Sequence, residues 1–281
     1  MILLDNGSRR AAATLNLRRL AQHLSERLGT EVHPVSALHS SKIPPEQLGG
    51  EPAWTLEGYL DARAAAGERS FEILPLFFGP SRAIGDFIPE VAGRVAAAHG
   101  PIEVRIADVL CPLPAGEPRL ADILADNVTA ALGDGAERSP THVLLVDHGS
   151  PLPAVTAVRH WLAERLTERL GAEVKVGEAV MERREGADYD FNGRLLAEVL
   201  ADIGSAGEPR SVVLAMQFIS PGRHAGAGGD IDDIAAAAAA AHLSLDVQST
   251  RLIGEHPLFV DILADRAAEL PTRPAIVLTA G

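Results

Sequence analysis

The chain has one cysteine, Cys111, so a disulfide framework and a multi-cysteine metal site are both excluded. Positive charge is also scarce. Lys and Arg number 25 against 38 Asp and Glu, for a formal net charge of −13. That balance argues against nucleic acid or an anionic membrane as partner, and an anionic substrate would need a local basic patch. No apolar run reaches the ~18 residues a membrane helix needs, and the opening residues Met1 to Leu4 have no charged leader region. A cytoplasmic protein is expected. Neither the G-x-G-x-x-G fingerprint nor the Walker spacing occurs, so no nucleotide is expected. No Gly-x-Ser-x-Gly elbow occurs and Cys111 has no base nearby in sequence, which leaves a hydrolase triad without support.

What is present is an alternation of strand and helix patterns over 281 residues, 47% of them hydrophobic. That length suffices for two ordinary domains. Short apolar runs at 2–4, 31–35, 71–78 and 104–107 read as strands. Between them, residues 11–28, 54–66, 88–99 and 118–132 read as helices, with Leu17, Leu20, Ala21, Leu24 and Leu28 forming one apolar stripe. Such alternation implies an α/β fold with a parallel sheet covered on both faces.

After the turn-rich segment 133–140 the pattern restarts, and the restart is a repeat. Asp5-Asn6-Gly7-Ser8 matches Asp147-His148-Gly149-Ser150 at an offset of 142, and residues 25–32 match 167–174 at the same offset. Residues 80–83 match 221–224 at 141, and 122–126 match 261–265 at 139. Two duplicated α/β domains are therefore expected, one over 1–137 and one over 138–281, with a ligand cleft between them. The apolar run 274–281 could add a strand to either sheet.

The residues able to do chemistry cluster in the second copy. The apolar run from Val143 ends on Asp147 and His148, and the run 212–219 leads through Pro221 and Arg223 to His224. In a parallel sheet, ligands bind outside the carboxyl ends of strands. Neutral imidazole binds borderline divalent metals and accepts protons near neutral pH. Glu182 follows a strand-like run over 174–181 and would reach the same edge. His148, Glu182 and His224 are thus candidate metal ligands and catalytic groups. Arg183, Arg184 and Arg223 could grip carboxylates in bidentate forks. Ser150 and the backbone amides of Gly226 and Gly228, in the glycine-rich loop after His224, are further binding candidates. Asp230 reads as a helix cap. The first copy has Asn6 and Ala83 where the two histidines would fall, and no glutamate over 38–42.

A strand ending in Asp147-His148-Gly149-Ser150, followed after another strand by Pro221-Gly222-Arg223-His224, resembles the class II tetrapyrrole chelatases of the CbiX/SirB type. The resemblance extends, twice over, across nearly the whole chain. It implies two chelatase-like domains and ATP-independent insertion of Co²⁺, Fe²⁺ or Ni²⁺ into sirohydrochlorin or a related tetrapyrrole. It assigns the metal to His148 and His224 with Glu182 as acidic partner, places the macrocycle in the interdomain cleft, and suggests a monomer that imitates a dimer. Here the second copy would carry the site and the degenerate first copy would be its wall. The turn after His224 is longer than the family's usual His-x-x-x-Asp-Ile. A metal- or tetrapyrrole-binding protein without catalysis is the alternative that the lost ligands raise, and a metal-free α/β enzyme is a third.

Overall fold

The computed structural model describes residues 1–132, 142–172, 174–206 and 210–279. The turn-rich segment 133–140, which carries the expected boundary at 137/138, lies outside the described residues. The chain forms two compact units, one of residues Met1–Pro112 with Val260–Gly281, the other of Leu113–Phe259.

In the first unit β1 (Ile2–Asp5), α1 (Ala11–Leu28) and β2 (His33–Ser36) are followed by β3 (Trp54–Thr55), α2 (Leu56–Ala65) and β4 (Ser70–Pro75). α3 (Ile88–His99) and β5 (Ile102–Ile106) complete its amino-terminal part. Residues 54–55, expected to begin a helix, instead pair with β2 as a short edge strand before α2 starts. The sheet runs β5-β4-β1-β2-β3, all parallel. Ile2, Leu4, Val35, Phe71, Ile73 and Val104 pack one face of it against α2 and α3 residues such as Leu60, Val91 and Val95. Each such side chain, fully buried, contributes about 1.5–3 kcal/mol.

The second unit begins with α4 (Pro118–Leu132) and continues with β6 (His142–Asp147), α5 (Pro153–Leu170), β7 (Lys175–Val180) and α6 (Leu196–Ser205). It ends with β8 (Arg210–Met216), α7 (Asp230–Ala241) and β9 (Leu245–Ser249). Its four strands are parallel in the order β7-β6-β8-β9. β6 is covered on both faces, which is why Val143, Leu144, Leu145 and Val146 are all buried without polar alternation. Leu144, Val146, Val212, Leu214 and Met216 form one face of the core with Leu196, Leu200 and Ile231.

The division of the chain corrects the expected boundary. α4 belongs to the second unit because its buried stripe of Leu120, Ile123, Leu124 and Val128 packs against α5 and β8. Asn127 also donates to the Arg251 carbonyl (3.3 Å). Most of α8 (Leu258–Glu269), the matching helix of the second repeat, belongs to the first unit. There Arg266 donates to the Val109 carbonyl (3.1 Å) and Asp261 pairs with Arg27 (3.2 Å). The duplication was visible in the sequence, but which sheet each copy's last helix covers was not. The last strand, β10 (Ile276–Leu278), adds antiparallel to β5. It joins the first sheet, the point the sequence left open, and makes that sheet mixed.

Candidate metal centre

Three adjacent strands of the second unit deliver the candidate ligands. β6 lies between β7 and β8, with Asp147 level with Val180 and Val146 level with Met216. His148 follows β6 directly, Glu182 comes two residues after β7, and His224 closes the turn after β8. All three therefore stand at the carboxyl edge, beside the point where the strand order reverses. Gly149 permits the approach. Its φ is +91°, and a Cβ there would lie 2.0 Å from the Glu182 carbonyl oxygen. The two ligand-bearing turns are then joined by the Glu182 amide donating to the His148 carbonyl (3.2 Å).

The donor atoms of His148, Glu182 and His224 all lie within 4.8 Å of one another. His148 Nε2 is 3.2 Å from Glu182 Oε1, and the two imidazole rings meet edge to face with centroids 4.7 Å apart. Donors around a tetrahedral ion with ~2.1 Å bonds sit about 3.4 Å apart, so small side-chain rotations close the set. The side chains of His148 and Glu182 are 47% and 58% exposed, and that of His224 is 22% exposed. The site is open to an incoming ion.

Each imidazole has one nitrogen engaged and the other aimed at the shared point. His148 Nδ1 faces the Gly149 carbonyl (3.1 Å). His224 Nδ1 faces Asp230 Oδ2 (2.7 Å), which leaves Nε2 available to a metal. Asp230 was expected to cap a helix. The helix is instead capped by Gly229, and Asp230 is its first residue, with its carboxylate turned back to the histidine. The lengthened turn preserves this reach because the Asp230 and Ile231 amides donate to the Arg223 and His224 carbonyls (both 3.1 Å). No periodicity in the sequence links residues six apart across a loop, so this partnership was hidden.

A buried charge network lies beneath the open ligands. Asp147 is packed deeply, and burial pushes its carboxyl above the usual carboxylate range while the Arg159 guanidinium pulls it down. Arg159 Nη1 donates to Asp147 Oδ1 at 2.7 Å, and the arginine is 1% exposed. Asp147 Oδ1 also accepts the Gly149 amide (3.0 Å). Arg159 escaped the sequence reading, although the 142-residue offset aligns it with Leu17 and thereby marks a charge inside an apolar stripe.

The expected substrate-binding groups are less uniform. Arg183 donates to Asp190 (3.0 Å), and Arg184 lies over the Tyr189 ring, 5.6 Å from its centroid. Arg223 is 75% exposed at its side chain, with Nε 3.4 Å from Asp230 Oδ2, and presents a more open side chain than Arg183. The Gly228 amide is already donated to Asp232 (2.9 Å), so it serves the loop rather than a ligand. Gly226 accepts the Gly229 amide on its carbonyl (3.0 Å). The Ser150 hydroxyl accepts the Leu152 amide (3.1 Å) and opens α5.

Two repeated α/β units, one of them with a His–Glu–His set at its strand ends, give the fold shared with the solved structures SirB and CbiX. The CbiX family model matches residues 142–270, the second repeat. Among solved structures, SirB from Bacillus subtilis with Fe3+ is similar over 96% of this chain and 94% of its own, with 15% identity and a TM-score of 0.67. SirB from Bacillus subtilis subspecies spizizenii in complex with cobalt covers 97% and 95%, at 16% identity and TM-score 0.64. CbiX, described as the terminal enzyme of siroheme biosynthesis in denitrifying bacteria, covers 95% and 97%, at 16% identity and TM-score 0.56. At these identities the likeness is one of fold. No curated protein matches the sequence. No helix among the described residues is long and apolar enough to cross a membrane.

Proposed function

We propose that the chain inserts a divalent metal, Co²⁺, Fe²⁺ or Ni²⁺, into sirohydrochlorin or a related tetrapyrrole without ATP. The observation that carries this reading is the convergence of His148, Glu182 and His224 within 4.8 Å at one open strand edge. The metal is substrate here, held by two neutral nitrogens and one carboxylate, a donor set that suits several borderline ions. The solved structures named for Fe3+ and cobalt complexes share the fold, which supports a metal as the ion handled here.

Metallation must remove two pyrrolic protons from the macrocycle as M²⁺ enters. Glu182, exposed and beside His148, and the imidazoles freed as the ion leaves them are the bases within reach. Asp230 keeps His224 in the tautomer that ligates through Nε2. The substrate's carboxylates pair with Arg223 and, on the loop after Glu182, Arg184. Ion loading is linked to proton release, since the ring nitrogens and the carboxylate bind metal only when deprotonated.

The test is an assay of the apo-protein with sirohydrochlorin and each ion, following the visible spectrum against the spontaneous rate. Acceleration that disappears in His148→Ala and His224→Ala supports the reading. Tight metal binding with no acceleration would establish the binding-only alternative, which the missing ligands of the first unit favour.

A further inference from the structure

We propose that Arg159 and Asn192, with Asp147, form a buried positioning assembly that holds the His148 and Glu182 turns at metal-binding distance. The proposal rests on the metal-site reading and goes beyond it, by assigning work to residues that never touch the ion. Arg159 is buried on α5, where an unpaired guanidinium would be very costly. Three of its nitrogens find oxygen. Nη1 donates to Asp147 Oδ1 (2.7 Å), Nη2 to the Asn192 carbonyl (2.6 Å) and Nε to Glu178 Oε2 (2.9 Å). These partners are the residue before His148, the residue ending the turn after Glu182, and a β7 residue four positions before Glu182.

Asn192, also 1% exposed, completes the link. Its Oδ1 accepts the Ser150 amide (2.9 Å) and the Thr156 hydroxyl (3.1 Å), and its Nδ2 donates to the Ser150 carbonyl (2.8 Å). One side chain therefore holds both backbone polar groups of Ser150, two residues from His148. The ligand side chains above stay exposed while the backbone carrying two of them is joined from below.

The first unit supplies the control. It builds the same turn, with Gly7 at φ +85° and the Leu38 amide donating to the Asn6 carbonyl (3.3 Å), as Glu182 does to His148. Yet Leu17 stands at the place of Arg159. Leu48 ends the short 3-10 turn (Pro45–Leu48) that packs on α1, as Asn192 ends the one (Ala187–Asn192) that packs on α5. The polar groups left behind are orphaned. Thr14 Oγ1, the counterpart of the Thr156 hydroxyl, and Asp5 Oδ1 have no hydrogen-bond partner among the described residues. A cavity of about 150 Å³ lined by Thr14, Leu17, Pro34 and Ser36 opens there. The turn is thus built without the assembly where no ligands need holding, and the assembly is present where they do.

The experiment is Co²⁺ titration followed by ligand-field absorption, on the full chain and on Asn192→Leu and Asp147→Asn/Arg159→Met. The double variant removes the buried charge pair together, and Glu178, only half-buried, keeps its contact with His160 (2.7 Å). Circular dichroism and a cooperative melt establish which variants are folded. Folded variants should bind Co²⁺ at least tenfold more weakly, with an altered absorption spectrum, while both histidines remain. A folded variant with wild-type affinity and spectrum overturns the positioning role and leaves the metal site standing. Co²⁺ binding by His148→Ala equal to that of the wild type overturns the metal site itself, and this proposal with it.

Discussion

Asp5 and Asp147 end equivalent strands, precede equivalent glycines and face different neighbourhoods. Asp147 meets a buried guanidinium, Arg159 (2.7 Å). Asp5 has one oxygen without a hydrogen-bond partner among the described residues, and burial pushes its carboxyl up to about 6. The same contrast runs outward to the ligand shell, where Asn6, Leu38 and Ala83 replace His148, Glu182 and His224. The first unit lacks both the candidate ligands and the polar contacts beneath them. The backbone is alike in both, since it depends on apolar burial and on two glycines at positive φ where a Cβ would strike a carbonyl oxygen.

The largest expected effect tests the comparison directly. His148→Ala or His224→Ala should lower chelatase activity by about a hundredfold or more, because each removes a ligand from the ion. Asn6→Ala should stay within about twofold. A loss in Asn6→Ala as large as that in His148→Ala would place the site in the first unit and reverse the assignment.

Asp230→Ala should come next. With His224 left free to rotate and change tautomer, metal affinity should fall by about 10–100-fold, the range typical of lost outer partners. Isothermal titration with Co²⁺ reads this, and unchanged affinity would show that the 2.7 Å contact is incidental.

The glycines should sharpen the comparison by behaving alike. An added Cβ would lie 1.8 Å from the Leu38 carbonyl oxygen at Gly7 and 2.0 Å from that of Glu182 at Gly149, and both backbones sit at positive φ. Gly7→Ala and Gly149→Ala should each destabilise by about 3 kcal/mol or more in chemical denaturation. Only Gly149→Ala should also disturb metal binding.

The smallest effect concerns Asp5. Its folded pKa of about 6 lies above the ordinary aspartate value of 3.8, so the folded state holds the proton more tightly. Stability therefore falls as pH rises from about 4 to 6, and the full penalty persists above 6. Asp5→Asn should stabilise the protein above pH 6 by about 1–3 kcal/mol, with the gain vanishing below pH 4. Melts at pH 3.5 and 7.5 check it, and an equal gain at both values would rule out the ionisation as the cause.

Much of this was legible in one dimension. The alternation of apolar runs and helical stripes placed most elements, and α3 and α4 begin and end where their periodicity predicts. Trp54 was drawn into a helix because two edge-strand residues carry no period of their own. His148 and His224 were legible because strand-end position can be read from an apolar run that stops. The partners Asp230, Arg159 and Asn192 were not, since their contacts span 6, 12 and 42 residues through turns that have no repeating pattern.

By itself the sequence determined the duplication, the parallel α/β class and the half of the chain that holds the candidate ligands, because apolar periodicity and residue type are local properties. Tertiary structure alone decided that α4 and most of α8 are counted with the other repeat's unit, that β10 completes the first sheet, and that Arg159 and Asn192 lie under the ligand turns. Those outcomes depend on which surfaces meet after the chain has collapsed, and strand pairing and burial between distant residues leave no mark on the spacing of their neighbours.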